Sequence, residues 1–152
     1  MASMSLDSLV REASQGIGQY LETALREGRI DDNSYRSAAK STLPNLRSWL
    51  EDAEVDRISP RAKEGIAQAI HRGAWEDLVN AFRRSLSFGT GGIRGMMAFD
   101  RESIVQLRDE GLDAPILKGP NTLNNLVLLR VSCGVAKFGR EKGYSKIVIG
   151  FD

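Results

Sequence analysis

Cysteine and histidine are each present once among 152 residues, as Cys133 and His71. One thiol closes no disulfide within the chain. One histidine and one cysteine assemble no zinc site of the usual type. They also leave a Ser–His–Asp hydrolase without support, since His71 ends a helical run beside Arg72 and Gly73, where a solvent-facing cation is expected. Cys133 falls among apolar neighbours in a helical pattern and is expected to be a buried, inert thiol. An excess of one charge is also missing. The net charge is +1, with acidic and basic residues interspersed, so no nucleic-acid partner is expected. No apolar run approaches the ~20 residues that cross a bilayer, so no membrane partner is expected either. A basic segment followed by an apolar one is missing from the start, and secretion is not expected. Met1–Ala2–Ser3 before Met4 reads as an appended leader.

What is present is helical in pattern through the first half. Leu6, Leu9, Val10, Ala13, Ile17, Tyr20, Leu21, Ala24 and Leu25 recur at steps of three and four, one apolar stripe on a helix. Gly28 is a stop. Asp31-Asp32-Asn33 caps a second helix through Tyr35 and Ala38. Pro44 either breaks it or starts a short third helix through Leu46, Trp49 and Leu50. Ser59-Pro60 predicts another start, with Ser59 as cap and Pro60 in the first position. That helix runs to Arg72, and a further one spans Ala74 to about Arg84.

The texture changes at Ser87. Phe88-Gly89-Thr90-Gly91-Gly92-Ile93-Arg94-Gly95 holds four glycines, which helix and strand interiors disfavour. Glycines let backbone N–H groups approach an anion, and Arg94 adds a charged fork suited to phosphate oxygens. On composition alone, a tight turn with a solvated arginine is the better reading of the string. A Walker loop is absent. A dinucleotide fingerprint fails, because Arg94 stands where its third glycine belongs. Residues 99–118 lack a period and predict a long surface loop with one helical turn near Val105–Arg108. Asn121 predicts the N-cap of a helix over about 122–142, carrying Leu123, Val127, Val131, Val135 and Phe138. Lys146–Phe151 predicts a buried strand.

The string from Ser87 to Gly95 resembles the first signature of the phosphohexomutases, Phe-Gly-Thr-Ser/Ala/Gly-Gly-Ile/Leu/Met-Arg-Gly. The order of features from Trp49 to Asp152 is similar to that of the bacterial phosphoglucomutase/phosphomannomutase branch. Gly91 replaces the commoner serine, and the 99–118 connection is longer than usual. The resemblance implies an α/β fold. Residues 1–86 would be a mostly helical extension. Residues 87–152 would begin an incomplete three-layer α/β/α domain I, with the active-site loop at 88–95, the helix at about 122–142 and the strand at about 146–151.

It further implies interconversion of hexose 1-phosphate and hexose 6-phosphate through a phosphoserine and glucose 1,6-bisphosphate, with Mg2+ held by an Asp-rich loop. No serine loop and no Asp-rich loop occurs in the sequence. The chain would therefore be the N-terminal portion of a cytoplasmic enzyme, inactive by itself, with no catalytic or metal-binding residue of its own. Thr90, Gly91, Gly92 and Arg94 would bind the phosphosugar. The remaining domains would be its partners, and an unpaired strand edge would favour self-association. The alternative is a non-catalytic interaction or regulatory domain, with the helices from Leu6 to Arg84 as a partner-binding module.

Overall fold

The computed structural model describes residues 5–89, 92–148 and 150. Seven α-helices form among them: α1 Leu6–Arg26, α2 Asp32–Glu51, α3 Ala53–Ile58, α4 Ala62–His71, α5 Trp75–Phe82, α6 Arg101–Glu110 and α7 Asn125–Glu141. A 3-10 turn at Gly111–Asp113 follows α6.

α1 takes its start from Ser5, whose hydroxyl accepts the Ser8 N–H at 3.3 Å. Its stripe of Leu9, Ala13, Ile17, Leu21 and Ala24 is buried against α2, α4 and α5. α2 begins where Asp31 accepts the Ser34 N–H at 2.7 Å. It then runs unbroken through Pro44, which the sequence alone marked as a stop or a restart. Pro44 is exposed, and the same helix buries Ala38, Leu46 and Leu50 on its other face. Packing on that face outweighs the one hydrogen bond that proline removes. Phe82 sits fully buried at the centre, edge-on to Trp49 with ring centroids 5.9 Å apart. Such a pair adds about 0.5–1.5 kcal/mol beyond its burial.

Ser59 does not cap α4. The cap position is Arg61, and it makes no side-chain cap hydrogen bond. Ser59 is instead fully buried, and its Oγ accepts from Lys118 Nζ at 3.0 Å. Lys118 also donates to Leu112 O. Burial pushes its ammonium below the ordinary lysine value.

The expected surface loop at 99–118 is a helix and a buried strap. α6 is capped by Asp100, which accepts the Ser103 N–H at 2.7 Å. Residues 114–120 are all buried, and Leu117 joins the main core. α4 presents Gly65 to this strap. A Cβ there would lie 2.1 Å from Ile116 O, so only glycine permits the approach.

The expected α/β arrangement is overturned. The described residues are all-helical, with no strand and no sheet, so no three-layer α/β/α domain forms. Lys146, Ile147 and Val148 of the predicted strand have no pairing partner among the described residues, while Ile149 and Phe151 lie outside them. A β-branched run has strand propensity, but a strand exists only with a neighbour to bond. The helix before it forms as α7, with Asn124 rather than Asn121 as its cap; Asn124 Oδ1 accepts the Val127 N–H at 3.0 Å. Cys133 is exposed on α7, not buried. No helix among the described residues is long and apolar enough to cross a membrane.

Candidate anion site at the glycine loop

The site begins at the end of α5. A helix leaves its last carbonyls without intrahelical partners. Here each finds a donor from elsewhere in the chain. Asn121 Nδ2–H donates to Asn80 O at 2.7 Å, and the Asn121 backbone N–H to Ala81 O at 3.0 Å. Asn45 Nδ2–H donates to Phe82 O at 2.7 Å. Ser41 Oγ approaches Arg83 O at 2.5 Å and Ser37 O at 2.8 Å, so its one proton serves two acceptors. Asn121 thus does not start a helix; it binds the chain after the buried strap to the end of α5.

The glycine loop hangs from the same frame. Leu86 N–H donates to Pro120 O at 2.8 Å, and Leu123 N–H to Met96 O at 2.9 Å. Between these tethers, Gly89 and Gly92 exchange two backbone hydrogen bonds, Gly89 N to Gly92 O at 2.9 Å and Gly92 N to Gly89 O at 3.1 Å. Gly92 has φ of 118°, in the region that favours glycine. The described residues of the string thus close on one another between Gly89 and Gly92.

Of the four expected substrate-binding residues, Thr90 and Gly91 lie outside the described residues. The other two face different spaces. Gly92 is half-buried and borders an open apolar groove of about 600 Å³ between the loop and α7, with Phe88, Ile93, Leu128, Val131 and Val135. Arg94 is exposed and lines a separate cavity of about 290 Å³, part polar and part apolar, with Asn80, Arg83, Arg84, Phe99 and Asn121. Among the described residues no acidic side chain lines that cavity.

No protein-family model, curated protein or solved structure matches the chain.

The electrostatics of the cavity are one-sided. None of Arg83, Arg84 and Arg94 forms an ion pair among the described residues, whereas Arg29, Arg36, Arg47, Arg57, Arg61 and Arg108 do. Arg84 Nε–H donates to Asn121 Oδ1 at 3.2 Å, which ties the guanidinium to the chain that follows the buried strap. In the sequence Arg83 and Arg84 mark only the end of a helix. Their signal was the adjacent arginine pair only three residues before the loop. The Mg2+ that the resemblance implies finds no fitting set of ligands here. Among the described residues no group of three or more His, Cys, Asp or Glu side chains converges, and no step through that ion is assigned to this chain.

Proposed function

We propose that this chain contributes the first active-site loop of a phosphohexomutase and binds the phosphoryl group of a hexose phosphate through Arg94. One observation carries the reading. Arg94 stands in the Phe88–Gly95 signature, exposed, with no carboxylate partner among the described residues, at a cavity without acids. Phosphoryl transfer depends mainly on positioning and on charge stabilisation, and a free planar guanidinium supplies both to phosphate oxygens. In this reading Thr90, Gly91 and Gly92 shape the turn beneath the sugar. The phosphoserine, the Mg2+ loop and the residues that choose the hexose belong to partner domains of a cytoplasmic enzyme that handles glucose 1,6-bisphosphate as its intermediate. The α/β first domain is not part of the proposal.

The test is calorimetry of the chain with glucose 1-phosphate and with glucose. Binding of the phosphate ester, absence of binding by the uncharged sugar, and loss of the ester in Arg94→Ala support the reading. One charge-assisted contact is worth about 1.5–3 kcal/mol. Unchanged ester binding by Arg94→Ala removes it.

A second reading, an interaction domain without activity, is favoured by the surface of α7. Leu128, Leu129 and Phe138 are exposed there, beside exposed Tyr144, Ile147 and Val148. The helices from Leu6 to Arg84, by contrast, spend their apolar faces on one another and form the core. The partner-binding face in this reading is therefore placed on α7 rather than on the N-terminal helices. A mass by sedimentation above that of the monomer, lost on Leu129→Glu, would favour this reading.

A further inference from the structure

Arginines placed just after a helix ordinarily fold back onto its open carbonyls and the negative end of its dipole. At α5 that need is already met. Asn121, Asn45 and Ser41 occupy the carbonyls of residues 80–83. The guanidinium groups of Arg83 and Arg84 then have neither helix carbonyls nor carboxylates to satisfy among the described residues. They line one cavity with Arg94, reached from a different element. An anion in that cavity would offer each of the three exposed guanidinium groups a partner. A dianion with several acceptor oxygens answers this geometry better than a single carboxylate, since each guanidinium offers a fork of donors.

We infer that Arg83 and Arg84, with Arg94, form a single phosphoryl-binding pocket, and that the end of α5 supplies binding residues outside the glycine signature. Asn121 is a positioning residue, acting through Arg84. Phe99, half-buried against the core, closes the apolar wall on which the rest of a small phosphate ester rests. The inference rests on the proposed phosphosugar reading for the nature of the ester, and on the end of α5 for the added residues.

The experiment titrates the 152-residue chain with inorganic phosphate and with glucose 1-phosphate, for wild type, Arg83→Gln, Arg84→Gln, the double variant and Arg94→Gln. Arg140→Gln, exposed on α7, controls for loss of charge in general. Circular dichroism melting verifies the fold of each. Arg83→Gln and Arg84→Gln should each weaken both ligands by about tenfold to a hundredfold, and Arg140→Gln should leave them unchanged. The inference is overturned if wild type shows no saturable phosphate binding, if the double variant binds like wild type, or if Arg140→Gln loses as much. The two claims fail separately. Loss in Arg94→Gln alone retains the loop reading and removes Arg83 and Arg84. Loss in the α5 variants alone retains the anion pocket and removes the loop reading.

Discussion

Replacing Gly65 by alanine sets two effects of opposite sign against each other. In an exposed helix interior the change stabilises by about 1 kcal/mol, because glycine is the poorer helix former. In α4 the new methyl would stand 2.1 Å from Ile116 O, 2.4 Å from Ile116 C and 2.9 Å from Pro115 C. These are backbone atoms of a buried strap, not the end of a flexible side chain, so relief requires the strap or α4 to move by about an ångström. Overpacking of this kind costs typically 1–3 kcal/mol, and here the upper part of that range applies. The net expectation is a loss of about 1–2 kcal/mol, or roughly 2–8 °C in Tm for a chain of this size. The strap continues into Asn121, so phosphate affinity should fall with stability. Gly18 on α1 is the matched control. A Cβ there meets nothing within 4 Å, and Gly18→Ala should raise stability by about 0.5–1 kcal/mol. Thermal and urea unfolding of both variants decide the matter. If Gly65→Ala is as stable as Gly18→Ala, the strap does not seat against α4.

Further expectations follow from the core and from one carboxyl. Thr42 is fully buried on α2 and its Oγ1 has no hydrogen-bond partner, so Thr42→Val should stabilise by about 1–2 kcal/mol in urea unfolding. Burial, and then the charges of Asp100 and Glu76, hold the Asp77 carboxyl above its ordinary value. A carboxyl with a higher folded than unfolded pKa binds more protons in the native state, so stability falls as pH rises through that interval. Asp77→Asn should therefore raise Tm at neutral pH, with the gain shrinking as pH falls toward the ordinary carboxylate range; an equal gain at every pH would contradict the assignment.

The N-terminal helices were legible because their apolar positions repeat every three or four residues and their caps are local. Asp31 needs only the next turn to do its work, whereas Ser59 is drawn instead to the distant Lys118. The glycine loop was legible for the same reason, since four glycines in eight residues admit little but a turn. The strap was not. Residues 114–120 are buried because α4 leaves a gap at Gly65 and because Lys118 reaches Ser59, both contacts between residues far apart in sequence. α6 is almost wholly exposed and carries no apolar stripe to betray it. The β-branched run at 146–148 misled for the opposite reason. Its local preference was plain, but no neighbouring strand among the described residues turns preference into structure. At the site, Arg94 could be singled out by motif, whereas Arg83 and Arg84 gain their meaning only from the side chains that already occupy the α5 carbonyls.

Phosphoryl binding by the glycine loop requires an arginine at residue 94 that is free to take the group. The side-chain Nε–H resonance of Arg94, assigned by its loss in Arg94→Gln, reads this without reference to turnover. Titration with glucose 1-phosphate should shift that resonance to a saturating end point, while equal concentrations of glucose leave it in place. A resonance that ignores the ester, or that moves equally with the uncharged sugar, would contradict the account.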